Sequence, residues 1–140
     1  MVLTGKYEHS VDSKNRLFIP AKHREILGES FMITRSTDRC LSVRSMVEWE
    51  KYTAKLNELP ATEMRGVLRF IYSNAQSATP DGQGRIILTP EQMAFAGIRK
   101  NAVIIGVGDH AEIWSEENWK EQTEKENLED ITALLIRLGM

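Results

Sequence analysis

Two short segments hold the residue types best suited to chemistry. Asp12-Ser13-Lys14-Asn15-Arg16 and Asp81-Gly82-Gln83-Gly84-Arg85 each place a carboxylate four residues ahead of a guanidinium. A leading Asp accepts backbone N–H groups and closes a tight turn, and the fourth position, Asn15 or Gly84, suits a residue that tolerates positive φ. An Arg on such a turn has two uses. Its planar fork matches guanine O6 and N7, while the ammonium of Lys14 neutralises phosphate. Alternatively, Asp12 with Arg16 and Asp81 with Arg85 form ion pairs that lock the turns and meet no ligand. Lys22 and Arg24, just beyond the first turn, either widen a basic surface or are ordinary solvated side chains.

Other chemistries lack the spacing they need. His9, His23 and His110 show none of the short ligand spacings of a zinc site, and nothing pairs Cys40 with a base, so no metal and no catalytic residue is expected. Gly82-Gln83-Gly84 and Gly106-Val107-Gly108 are too short for a dinucleotide or phosphate loop, so no cofactor and no small-molecule substrate is expected either. With one cysteine, no secretory-type N-terminal run and no apolar stretch near the roughly 18 residues of a membrane helix, the expectation is a cytoplasmic chain that does not enter the membrane.

Charge is informative only by region. The 140 residues carry a net charge of −2, against the strongly basic footprint of many nucleic-acid binders. Residues 1–72, however, hold 12 basic against 9 acidic side chains, whereas residues 73–140 hold 6 against 11. Any polyanion would therefore approach the N-terminal half, with the acidic C-terminal helix lying away from it.

The elements that position the turns also repeat. Residues 12–19 match residues 81–88 at an offset of 69, and Gly28 matches Gly97 at the same offset. Each turn leads into a short strand, Arg16-Leu17-Phe18-Ile19 or Arg85-Ile86-Ile87-Leu88, and then a Pro-initiated helix that ends at Gly28 or Gly97. Thr89-Pro90-Glu91-Gln92 has the form of a capping box. Phe31-Met32-Ile33 and Val103-Ile104-Ile105 read as buried strands, followed by Cys40-Leu41-Ser42-Val43 and Ala111-Glu112-Ile113-Trp114. A unit of about 45 residues leaves too much surface exposed to stand alone, so the two copies should share one pseudo-twofold core with strands exchanged between them.

Helices complete the reading. Ser45-Met46-Val47-Glu48 reads as a capping box opening a helix through Trp49, Tyr52, Leu56 and Leu59 to Pro60. A second helix covers residues 63–72. A C-terminal helix after Ser115 carries a Leu128, Ile131, Leu135, Leu138 stripe, expected to dock on a neighbouring subunit or on its own core. The expected organisation is a first repeat at 5–49, connecting helices at 50–75, a second repeat at 76–120 and the C-terminal helix at 121–140.

The paired Asp-x-x-(Gly/Asn)-Arg turns, each followed by a strand and a short helix, resemble the SpoVT/AbrB family of swapped-hairpin DNA-binding domains. Two tandem copies over essentially the whole chain resemble the MraZ family. The resemblance implies an α+β fold: a mostly β, swapped-hairpin double-repeat core with short helices plus connecting and C-terminal helices. It also implies a nucleoid-associated transcriptional regulator that binds repeated promoter elements of the division and cell-wall gene cluster as a ring-shaped homo-oligomer on double-stranded DNA. Carried onto this chain, the DNA contacts fall on Arg16, Lys14 and Arg24, with Lys22 and Asn15 beside them. Asn15 stands where the family pattern has Gly, and Gln83 where it has Lys. Arg85 is thus the lone cation of the second turn, which with Asp12 and Asp81 is either a secondary DNA contact or structural. The competing class is an antitoxin-like protein-interaction module that grips a partner polypeptide through its C-terminal helix.

Overall fold

The computed structural model describes residues 1–140, and the fold is α+β in two repeated halves. The first half runs β1 (Lys6–Ser10), β2 (Arg16–Phe18), α1 (Ala21–Leu27), β3 (Phe31–Arg35), β4 (Leu41–Ser45), α2 (Met46–Ala54) and α3 (Ala61–Tyr72). The second runs β5 (Gln76–Ala78), β6 (Arg85–Ile87), α4 (Pro90–Ala96), β7 (Asn101–Gly106), β8 (Ala111–Ser115), α5 (Glu116–Lys125) and α6 (Leu128–Arg137).

Six strands form one sheet in the order β1-β7-β8-β4-β3-β5, and β2 pairs with β6 in a separate two-stranded ribbon. Read from either end, the sheet order is the same once the halves are interchanged, so the pseudo-twofold axis passes between β8 and β4. The exchange is explicit. β1 of the first half lies antiparallel on β7 of the second, with Tyr7 opposite Ile104, and β5 of the second lies on β3 of the first, with Met32 opposite Ser77. Neither half has a complete sheet without the other.

Period-two alternation decides what the ribbon buries. Leu17 and Ile86 are cross-strand partners that point inward, and with Ile19 and Leu88 they are fully buried among Phe31, Ile33, Leu41, Val43, Ile104 and Ile113. Each such side chain stabilises the fold by about 1.5–3 kcal/mol relative to exposure, so the ribbon is anchored to the core by its inner face. Its outer face is left for Arg16, Phe18, Arg85 and Ile87.

The short helices start where the local chemistry places them. Thr89 Oγ1 accepts from Gln92 N at 3.0 Å while Gln92 Oε1 accepts from Thr89 N at 2.9 Å, the reciprocal capping box expected at α4. Gly97 then ends α4 at φ 71°. At α2 the box is incomplete. Ser45 Oγ accepts from Glu48 N, but the Glu48 carboxylate takes Lys51 Nζ at 3.3 Å instead of returning to Ser45. The helix also stops at Ala54 and passes through a single 3₁₀ turn, Lys55–Asn57, before Pro60, shorter than the spacing of Leu56 and Leu59 implied.

The C-terminal segment is two helices rather than one. Glu126 leaves helical geometry at ψ 113°, and Asn127 Oδ1 accepts from Glu129 N and Asp130 N to cap α6 afresh. α6 does not dock on its own core. Leu128, Ile131, Leu135 and Leu138 are all exposed, as are Leu134 and Ile136. No helix is long and apolar enough to cross a membrane.

Candidate nucleic-acid interface

The two Asp–Arg turns have one geometry. Asp12 Oδ1 accepts from Lys14 N and Arg16 N, both at 2.9 Å, and Asp12 Oδ2 accepts from Arg16 Nε at 2.7 Å. Asp81 Oδ1 accepts from Gln83 N and Arg85 N at 2.9 and 3.0 Å, and Asp81 Oδ2 accepts from Arg85 Nε at 3.0 Å. The chain reverses through φ 60° at Asn15 and φ 79° at Gly84, the left-handed geometry that Asn tolerates and Gly prefers. Both carboxylates titrate below their ordinary value, foremost because the backbone N–H of Arg16 or of Arg85 donates to the charged form.

The turns are stitched to each other. Asn15 O accepts from Leu88 N at 2.8 Å, and Gly84 O accepts from Ile19 N at 2.9 Å, so each turn caps the far end of the other half's ribbon strand. Arg85 Nη1 also approaches Asp12 Oδ2 at 4.0 Å, which puts both arginines within reach of one carboxylate. Their side chains are equally accessible, 29% for Arg16 and 28% for Arg85. In each, Nε is the nitrogen that hydrogen-bonds the turn's own Asp, which fixes the plane of the guanidinium and leaves its terminal nitrogens unengaged by hydrogen bonds.

The remaining basic residues sort by what they touch. Lys14 is exposed on the first turn, and Lys22 is exposed on α1. Arg24 is tied down: its Nε donates to Ile19 O at 2.9 Å, and its guanidinium lies 5.3 Å from the Phe18 ring centroid. It also fills the space beside Gly84, where a Cβ would fall 2.7 Å from its Cζ. Arg24 of the first repeat thus braces the turn of the second. Sequence reading did not single out Phe18 and Ile87, which share the outer ribbon face with the arginines. Ile87 is 68% exposed. The signal was the alternation itself, since residues 16, 18, 85 and 87 must share a face once 17 and 86 are buried.

The residues with nucleophilic or metal-binding potential are differently placed. Cys40 is buried, and desolvation pushes its thiol up to about 12, which keeps it protonated near neutrality. His23 is buried with Nε2 2.7 Å from Thr4 O, and His9 stacks edge-on against Phe18. No group of three or more His, Cys, Asp or Glu side chains is arranged to hold a metal ion.

What the ribbon offers is therefore a narrow two-stranded element with paired, carboxylate-oriented guanidinium groups on its outer face. The major groove of B-form DNA admits a two-stranded β-ribbon in general, and a guanidinium matches the guanine edge there.

Comparison with known proteins agrees with the duplication. A family model described as "MraZ protein, putative antitoxin-like" matches the chain twice, over residues 2–70 and 71–137. The chain is similar to a protein of Clostridium tetani named transcriptional regulator MraZ, 42% identical over 139 residues that cover 97% of this chain and 98% of that one. It is likewise similar to a protein of the same name from Leuconostoc citreum, 43% identical over 94% of this chain and 95% of the relative. Matched once by each of its repeats and alike in sequence to these relatives along almost its whole length, the chain belongs to the MraZ family.

Proposed function

We propose that the chain is a transcriptional regulator that binds double-stranded promoter DNA through the outer face of the β2–β6 ribbon and acts as a homo-oligomer. The carrying observation is the pair of Asp–Arg turns, each with a guanidinium held through Nε by its own carboxylate on a ribbon anchored to the core. In this reading Arg16 forks onto a base edge, Lys14 and Lys22 meet phosphates, and Arg24, packed on Phe18 of the outer face, braces the second turn. Asn15 supplies the left-handed turn and adds a polar side chain at the interface. Arg85 sits as accessibly as Arg16 and adds a second contact. The names carried by the relatives fit a role in transcription.

Affinity follows from repetition rather than from net charge. A protomer that neutralises three or four phosphates binds modestly, with affinity falling by roughly 0.9 log unit per contact for each tenfold rise in salt. Several copies engaging spaced elements at once gain avidity if the spacing lets neighbouring ribbons engage together. The uncovered apolar face of α6 supplies a surface that a second copy would bury. A closed ring on repeated promoter elements of the division and cell-wall genes, in the cytoplasm and on the nucleoid, is the full form of the proposal.

The test is a mobility shift on a duplex with tandem repeats. Arg16→Ala is expected to abolish the shift while light scattering gives an unchanged particle size. A shift that survives with the same affinity would remove the ribbon from the interface and favour an antitoxin-like interaction module.

A further inference from the structure

Four side chains occupy the outer face of the β2–β6 ribbon, and they are not equally open. Arg16 and Arg85 are held through Nε by their own carboxylates. Phe18 is covered by two neighbours: the His9 ring stands edge-on at a centroid distance of 5.1 Å, and the Arg24 guanidinium lies 5.3 Å from the Phe18 centroid. Ile87, in contrast, is 68% exposed. The duplication explains the difference. At the offset of 69 that relates the two turns, the positions of His9 and Arg24 are taken by Ala78 and Met93, which bring neither a ring nor a guanidinium. The ribbon thus has one covered and one open apolar position.

An exposed isoleucine alone means little, and the place of this one decides its meaning. Hydrogen bonds join Leu88 N to Asn15 O and Ile19 N to Gly84 O. Arg16 and Ile87, one residue further along each strand, are therefore a cross-strand pair without mutual hydrogen bonds, the kind whose side chains approach most closely. Ile87 flanks the guanidinium of Arg16 on the same face, so a groove entered by one is entered by the other.

The chemistry of the base edges then narrows what Ile87 meets. In the major groove the thymine C5-methyl is the apolar feature, whereas guanine, adenine and cytosine present acceptors and amino donors that a hydrocarbon strips of water without offering a hydrogen bond in return. We propose, on the reading of the ribbon as the DNA-binding element, that Ile87 is a specificity-determining residue that packs on the C5-methyl of a thymine beside the guanine read by Arg16. The Arg85 end, where Phe18 is covered, lacks that preference.

The experiment starts from duplexes that the full-length protein selects out of a random library. Each thymine of a selected duplex is replaced singly by uracil, which removes only the methyl, and each guanine singly by 7-deazaguanine, which removes the N7 acceptor. Fluorescence anisotropy reads the affinities. Uracil beside a guanine that is sensitive to the deaza replacement should weaken binding about fourfold, the worth of one buried methyl. Ile87→Ala, at an exposed position, should bind the thymine and uracil duplexes alike and keep its sensitivity to 7-deazaguanine. The role of Ile87 is overturned, with ribbon binding left intact, if no thymine responds to uracil, if the responsive thymine lies apart from every sensitive guanine, or if the fourfold step persists in Ile87→Ala. Failure of the protein to enrich any duplex overturns the role of Ile87 together with the DNA reading beneath it.

Discussion

Arg16→Lys separates the fork of the guanidinium from its charge. The side chain is presented on the outer ribbon face, with Nε held 2.7 Å from Asp12 Oδ2 and the terminal nitrogens free of hydrogen bonds within the chain. Lys keeps the positive charge but offers a single nitrogen, so it cannot bond Asp12 and straddle a guanine edge at once. A bidentate base contact is worth about 1–3 kcal/mol of discrimination, which converts to a loss of roughly 5- to 150-fold per engaged turn at about 1.4 kcal/mol per tenfold. Where two copies engage adjacent repeats, the loss approaches the square of that factor. The number of phosphates neutralised is unchanged, so the slope of log affinity against log salt should stay as in the parent. Fluorescence anisotropy on a tandem-repeat duplex and on a scrambled duplex, each across a salt series, reads both quantities. The expected result is a large loss on the repeats, little on the scrambled duplex and parallel salt lines. Equal losses on both duplexes, or no loss on either, would refute base reading by this residue.

Gly106→Ala should cost about 3 kcal/mol in urea unfolding, because the new Cβ would clash with Thr4 N and Leu3 C, both backbone atoms of the chain that crosses Gly106. Asp12 and Asp81 have lowered folded pKa values, so the stability they contribute is complete above the ordinary carboxylate value near 4 and is lost as pH falls through the folded value. Asp12→Asn with Asp81→Asn should flatten that acid limb of a denaturation series. His110 has a raised folded pKa, so its contribution is complete below about 6.5 and is lost as pH rises through the folded value; His110→Gln should remove that decline. Ile131→Glu with Leu135→Glu on the uncovered face of α6 should reduce particle size in light scattering and leave far-ultraviolet circular dichroism unchanged.

Much of this architecture is written in local sequence, and the remainder depends on partners far along the chain. The turns were legible because Asp12 and Asp81 act on backbone groups within four residues. The α4 cap and its Gly97 stop are equally local. β1 and β5 were not legible as strands. Gln76-Ser77-Ala78 has no large apolar residue, and Lys6-Tyr7-Glu8-His9-Ser10 has none that is fully buried. Both are strands because each completes the edge of the other half's sheet, which is why the exchange was expected while the exchanged segments went unnamed. The break between α5 and α6 turns on Asn127, an Asn whose cap is plain only once Glu126 is seen to leave the helix. At the candidate interface, Asp12 with Arg16 and Asp81 with Arg85 were readable, and so were the turn-locking ion pairs they form, which the sequence offered as the alternative to a ligand contact. The packing of Arg24 against Gly84 was not, because it joins residues 60 positions apart from different repeats.

Photo-cross-linking tests the central claim most directly. The full-length protein is bound to a tandem-repeat duplex carrying photoreactive bases, and the cross-linked peptides are identified by mass spectrometry. Adducts within residues 12–24 and 81–88 are the predicted result. Adducts confined to α5, α6 or the open face of the six-stranded sheet would contradict the assignment of the ribbon as the DNA-reading element.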